Sequence, residues 1–445
     1  MATPSQMPLA GEEVSLAVSL ERVAAAWQAL RPVLWPTPLL RCPALEERCG
    51  CQVWLKPENL QRTGSYKIRG AYYKLHHLVE AGRTRRVVAA SAGNHSQGVA
   101  YAARELGLDC VIVMPETAPL PKRQATQHYG ARLLFQGSCF DDALAFALEY
   151  AREEKREFLS PFNDMDIITG QATLAWDVLE ELRDEPPDAV LVPVGGGGLL
   201  AGVAGVVKQR LPRARIIAVQ SSAAPAFERS WKAYRCGSAE PMPLDVPTQE
   251  TIADGVRVRR PGELCWRLTR DLVDSAVCLD DSALYEAIVF LMEHSKLVVE
   301  GAGALGVAAL LDREAQRQIM EAGLPPNARL VALLTGGNID GLTLKHVVER
   351  SLSAKGRLRA IAVRITREPG QLAWILEFLR HKRAKVMEIR RSRLARVGNA
   401  ADIEILIEVD DKQHGREVLE ELDREAKVHG FELLPPPAQG GPPIL

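Results

Sequence analysis

Lys67 lies in Thr63-Gly64-Ser65-Tyr66-Lys67-Ile68-Arg69-Gly70-Ala71. Three glycine-bearing stretches follow it: Ser91-Ala92-Gly93-Asn94-His95, Gly195-Gly196-Gly197-Gly198 and Thr335-Gly336-Gly337-Asn338. An unprotonated lysine amine condenses with an aldehyde. Consecutive glycines let backbone amides approach an anion closely, and a helix starting there adds partial positive charge. A threonine hydroxyl can meet a ring nitrogen. An aldehyde, a phosphate and a pyridine nitrogen carried on one small molecule describe pyridoxal 5'-phosphate.

Lys67 must lose its proton at neutral pH, which calls for partial burial or cationic neighbours; Arg69 and Lys74 are the nearby candidates. Gly195 to Gly198 follow the apolar run Val190-Leu191-Val192-Pro193-Val194 and precede a helical stretch, Leu199 to Val207. A strand–helix turn needs only one glycine, and four cost conformational entropy, so a phosphate cradle is the better reading. The Lys-Ser/Thr ending of a nucleotide P-loop is missing, which argues against ATP. Thr335 ends another apolar run. A hydroxyl partner leaves the pyridine nitrogen mostly uncharged, and this weaker electron sink favours β-elimination. Ser91, the Gly93 backbone and Asn94 offer donors for a substrate carboxylate or the cofactor's phenolic oxygen, and His95 either acts as a base or orients the loop.

Strand ends must hold these groups. Val87–Ala90, Val111–Val113, Val190–Val192, Ile216–Val219 and Leu330–Leu334 are apolar without alternation, as expected of parallel strands covered on both faces by helices. Several end in the turns above, and in open α/β sheets ligands gather at the carboxyl ends of strands. Beyond residue 346 the pattern changes. Ile403, Ile405, Ile407 and Val409 alternate with acidic residues, Leu358 to Thr366 and Val386 to Arg393 read as strands, and Phe431 to Leu434 as a last one. Leu372, Ile375, Leu376 and Leu379 mark one helix after Glu368-Pro369-Gly370; Val418, Leu419, Leu422 and Ala426 mark another, giving a βαββαβ order. The expected organisation is a loose tail over 1–12 and a catalytic domain over 13–345, with a smaller lobe at about 65–165. A linker over 346–356, a small domain over 357–434 and a Pro/Gly-rich tail over 435–445 follow.

The 445 residues, 47% hydrophobic and 25% charged with net charge −1, describe a globular chain with no global field for nucleic acid or membrane. The basic stretch Arg380, Lys382, Arg383, Lys385, Arg390, Arg391, Arg393 and Arg396 has acidic neighbours and no interleaved aromatics, so it reads as a solvated face. The eight cysteines are scattered, apart from Cys49 and Cys51, and fit reduced thiols in a cytoplasmic protein. No secretory signal or membrane span is read.

Over about residues 20–345 the sequence resembles the threonine deaminase group of fold-type II pyridoxal phosphate enzymes. The resemblance rests on Lys56-Pro57-Glu58-Asn59-Leu60-Gln61, Ser65 to Ala71, Ser91 to Gly98, the four glycines and Thr335 to Asn338. It implies an α/β fold of two lobes with open parallel sheets, similar to the tryptophan synthase β chain. It makes Lys67 the Schiff-base lysine, Asn94 a partner of the ring oxygen, Gly195, Gly196, Gly197 and Gly198 the phosphate loop and Thr335 the ring-nitrogen partner. Ser91, Ala92, Gly93, Asn94, His95 and Asp254 would line the substrate. Serine racemases look similar but carry a serine at Ala92, so the resemblance implies elimination rather than racemisation. Their divalent-cation carboxylates fall at Gln220 and Ala226, so no metal is expected. Glu300 also matches a family position, though Gly301 replaces the usual proline.

Residues 357–434 resemble an ACT domain, an α+β ferredoxin-like module that binds amino-acid effectors and pairs. Lys385 stands where an asparagine is common. The implied reaction is dehydration and deamination of L-threonine, and of L-serine, by a homodimer or homotetramer. Alternatives are a lyase for another β-substituted amino acid, such as 3-hydroxyaspartate, and a non-catalytic amino-acid sensor.

Overall fold

The computed structural model describes residues 17–237, 242–366, 370–391 and 400–435, and the chain divides into two compact units, 1–340 and 341–445. The first holds two sheets. The larger runs β1 (Leu40–Arg41), β2 (Gln52–Pro57), β10 (Arg329–Leu334), β7 (Ala189–Pro193), β8 (Arg215–Ser221) and β9 (Ser275–Leu279) in spatial order. All its pairings are parallel except β1 with β2. The smaller sheet is wholly parallel, in the order β5 (Arg132–Phe135), β4 (Asp109–Met114), β3 (Arg86–Ala90), β6 (Glu157–Phe158). Its strands all fall between β2 and β7 in sequence.

Helices cover the central strands, so all five residues of β7 are buried. This is why those strands carry apolar residues without alternation. Three helices with glycine contacts set the spacing of the lobes. The helix Lys67–Glu80 crosses the helix Met165–Glu181 where an ideal Cβ on Gly170 would stand 2.6 Å from the Arg69 carbonyl oxygen and from the Gly70 Cα. On its other side, Met165–Glu181 meets the helix Gly198–Arg210, where a Cβ on Gly202 would lie 2.7 Å from the Ala172 nitrogen. Only glycine permits such backbone approach.

In the second unit, β11 (Leu358–Thr366), β12 (Lys385–Arg391), β13 (Ala400–Glu408) and β14 (Glu432–Leu434) form an antiparallel sheet, spatial order β12-β13-β11-β14. With the helices Gln371–His381 and Lys412–His429 the order is βαββαβ, a ferredoxin-like arrangement. Along β13, Ala401, Ile403, Ile405 and Ile407 are buried and their neighbours half-buried, matching the alternation. The span expected as a linker, 346–356, is instead helical up to Ala354 within Gly341–Ala354. Val347 and Ser351, one turn apart, are buried along one of its faces. Several cations of the basic stretch are paired: Arg380 with Glu377, Lys382 with Glu421, Lys385 with Glu408 and Arg390 with Glu388. Residues 1–12, Glu368, Pro369, Arg393, Arg396 and 436–445 lie outside the described residues.

Candidate active site

Lys67 opens the helix Lys67–Glu80, and the segment before it is stitched to the end of β10. The Tyr66 amide donates to the Thr335 carbonyl (3.1 Å), the Gly337 amide donates to the Gly64 carbonyl (2.9 Å), and Ser65 forms a β-bridge with Gly336. The Lys67 side chain is half-buried and its Nζ donates to the Pro161 carbonyl at 3.1 Å. Among the described residues no carboxylate pairs with it. The neighbouring cations are engaged with carboxylates. Arg69 is spent on Glu58 and Asp177 at 2.7 Å each, and Lys74 on Asp164 and Asp166.

Pro161 leads directly to the glycine turn. An ideal Cβ on Gly196 would stand 2.2 Å from the Phe162 ring, one on Gly198 2.9 Å from the Phe162 Cβ, and one on Gly195 2.9 Å from the Val256 Cα. Gly197 has φ +94°, a left-handed conformation that favours glycine, and caps the helix Gly198–Arg210. The first amides of that helix have no partner within it and point towards the turn, which makes an anion cradle. Cys265 packs beneath Gly197 and donates its thiol to the Phe162 carbonyl (3.2 Å). Burial pushes that thiol up to about 12, against the opposing charge of Lys67. Lysine, Phe162 and glycine turn therefore share one neighbourhood.

A second cluster joins the lobes. Asn94, first residue of the helix Asn94–Glu105, donates Nδ2 to Glu300 Oε1 (2.5 Å) and accepts at Oδ1 from Asn338 Nδ2 (2.7 Å). A Cβ on Gly336 would collide with Glu300 Oε1 at 2.2 Å. Burial, with the nearby charge of Asp254, raises the Glu300 carboxyl to about 7, although the Asn94 hydrogen bond opposes this. Asp254 itself pairs with Lys122 and is half-exposed. Ser91 and Gly93 turn into the same helix, the Gly93 amide donating to Ser91 Oγ at 3.2 Å. His95 is buried, and its Nε2 faces the Leu159 carbonyl at 3.3 Å. Burial first, then the charge of Lys67, lowers it to about 3, so the imidazole is neutral.

The Ser65 and Thr63 hydroxyls are buried without a hydrogen-bond partner, a cost of about 1–3 kcal/mol each that a bound ligand would relieve. The Thr335 hydroxyl has only a long 3.5 Å contact to the Ala302 carbonyl. Amine, anion cradle and free hydroxyls fit pyridoxal phosphate. Residues 30–336 match the family described as "Pyridoxal-phosphate dependent enzyme". The chain belongs to that family.

The enzyme is 38% identical over 420 residues to an L-threonine ammonia-lyase of Thermotoga maritima, covering 94% of this chain and 99% of that one. Among solved structures it is similar to threonine deaminase isoform 2 from Solanum lycopersicum, with TM-score 0.67 and 31% identity over 78% of this chain and 90% of that chain. It is also similar to maize serine racemase, with TM-score 0.68 and 29% identity over 76% of this chain and 99% of that chain.

Phe162, Cys265 and Lys122 escaped the sequence reading because nothing local marks them. The glycines at 70, 170 and 202, lying inside helices, were the available signal for the helix crossings. Gln220, one position read for a missing cation site, has its amide taken up by the Val194 carbonyl and the Glu228 amide. Among the described residues no group of three or more His, Cys, Asp or Glu is placed to hold a metal, and no helix is long and apolar enough to cross a membrane.

Proposed function

We propose that this enzyme dehydrates and deaminates L-threonine, and L-serine, to 2-oxobutanoate or pyruvate and ammonia. The observation that carries the reading is Lys67: a half-buried amine with a carbonyl partner, beside a glycine cradle and the end of β10. Pyridoxal phosphate, when bound, supplies the electron sink that makes the α-proton of an amino acid removable. Lys67 Nζ would hold it and, when its amine is free, would take the α-proton. The amides of Gly195 to Gly198 would hold its phosphate. Thr335 Oγ1 would be the partner of the ring nitrogen, leaving it without a full charge. Asn94, fixed by Glu300 and Asn338, has a second N–H left for the ring oxygen.

The Ser91–Gly93 turn, at the N-terminus of Asn94–Glu105, receives the substrate carboxylate. Ala92 carries no proton to return to the opposite face, which favours elimination over racemisation. Neutral His95 orients the loop through the Leu159 carbonyl, and Asp254 closes the substrate side through Lys122. Loss of the α-proton and the β-hydroxyl amounts to loss of water; the released enamine takes up water and yields the keto acid and ammonia.

The reading extends to a cytoplasmic homo-oligomer whose second unit is an ACT domain binding an amino-acid effector, supported by its βαββαβ order. Lys67→Ala tests the catalytic assignment. Turnover falls by at least about four orders of magnitude if base and anchor are lost together, while the circular dichroism of the fold is unchanged. Near-normal turnover in that variant sinks it.

A further inference from the structure

We propose that Cys49 and Cys51 form a modification site, a dithiol that a hydroperoxide closes to a reversible disulfide. The pair flanks Gly50, which ends the helix Pro43–Cys49 in a left-handed conformation, φ 68° and ψ 21°. A residue in helical backbone of either hand brings the Cα atoms on its two sides to about 5.4 Å. That lies within the span of roughly 4.4–6.8 Å that a disulfide bridges. Gly50 has open space around its Cβ position, so no neighbouring side chain holds the loop apart.

Both cysteines line one cavity of about 280 Å³, together with Leu310, Arg313, Arg317 and Met320. Cys49 is half-buried and Cys51 buried, so a small oxidant reaches the pair through this cavity while bulky reagents are hindered. The closeness of the two thiols lowers Cys51 to about 7, against its burial and the nearby charge of Asp188, and raises Cys49.

The chemistry balances. The Cys51 thiolate attacks a peroxide oxygen; an S–O bond forms, the O–O bond breaks, and the departing oxygen takes a proton and leaves as an alcohol, or as water from hydrogen peroxide. The Cys49 sulfur then attacks Cys51; the S–S bond forms, the S–O bond breaks, and hydroxide leaves as water with the Cys49 proton. Two thiols lose two electrons and two protons to one peroxide. The pair precedes β2, whereas the catalytic turns follow the carboxyl ends of β2, β3, β7 and β10. The site is thus at the opposite end of the strands and independent of the catalytic assignment.

The test is peptide mass mapping of the reduced, full-length enzyme before and after hydrogen peroxide. Trypsin cuts after Arg48 and Arg62, because Pro57 shields Lys56, so one peptide carries both thiols. That peptide is expected to lose two hydrogens, to resist alkylation, and to regain both thiols with dithiothreitol. In Cys51→Ser the two-hydrogen loss disappears and Cys49 alone remains. Two free thiols persisting after peroxide, or sulfinic acid on either cysteine without a bridge, overturns the proposal.

Discussion

Glu300 is a carboxyl group held at 6% exposure, with Asn94 as its donor and the charge of Asp254 nearby. Its value in the folded chain, about 7, lies above the 4.5 of a free carboxyl. The folded state therefore binds this proton more tightly than the unfolded state. The stability it contributes is fully present below about pH 4.5 and is lost as pH rises through about 7, amounting to roughly 3 kcal/mol. Glu300→Gln keeps an oxygen for the Asn94 hydrogen bond and cannot ionise. The prediction is that thermal melting of this variant, freed of cofactor, loses most of the downward slope the parent displays between about pH 5 and pH 7. Identical slopes in both proteins would mean that the carboxyl is already ionised in the fold. Arg69 presents the opposite case. Its charge is buried but doubly paired, with Glu58 and Asp177, so it serves the helix that carries Lys67.

At the scale of elements, the distance between lysine and glycine turn is set by the helix Met165–Glu181, wedged between the two helices that bear them. Gly170→Ala places a methyl 2.6 Å from the Arg69 carbonyl oxygen and the Gly70 Cα, both of which are backbone and cannot rotate away. Overpacking of this kind costs about 1–3 kcal/mol. The expected result is a lower unfolding midpoint together with weaker cofactor binding, measured by equilibrium titration; unchanged values of both would show that the crossing has slack. The buried strands of this unit were legible because the runs Val87–Ala90, Val111–Val113, Val190–Val192, Ile216–Val219 and Leu330–Leu334, within β3, β4, β7, β8 and β10, are apolar on both faces. β2 was not, since Gln52 and Lys56 interrupt its pattern, Lys56 being buried only because Glu181 pairs with it. The two-residue strands Leu40–Arg41 and Glu157–Phe158 are too short to carry a period. The site was readable where glycine, lysine and threonine sit at strand ends, and unreadable where distant segments converge, as Phe162 does on Gly196 and Lys122 on Asp254.

For the whole molecule, the division after Asp340 makes a prediction about the first unit. Maize serine racemase aligns along 99% of its own length with only 76% of this chain, so a chain with no counterpart to the remainder can form this fold. A protein ending at Asp340 is accordingly expected to bind pyridoxal phosphate and to keep basal turnover within about tenfold, while losing any response to added amino-acid effectors. Loss of cofactor binding on truncation would count against independent units. The central claim is the chemistry assigned to Lys67 and its surroundings. It is tested most directly by recording the visible spectrum of the purified enzyme with pyridoxal phosphate, then adding L-threonine and assaying 2-oxobutanoate. The account predicts an absorption band of lysine-bound cofactor that Lys67→Ala lacks, and keto-acid release accompanied by equimolar ammonia. A band with no keto acid would contradict the threonine reaction, and no band at all would contradict the site.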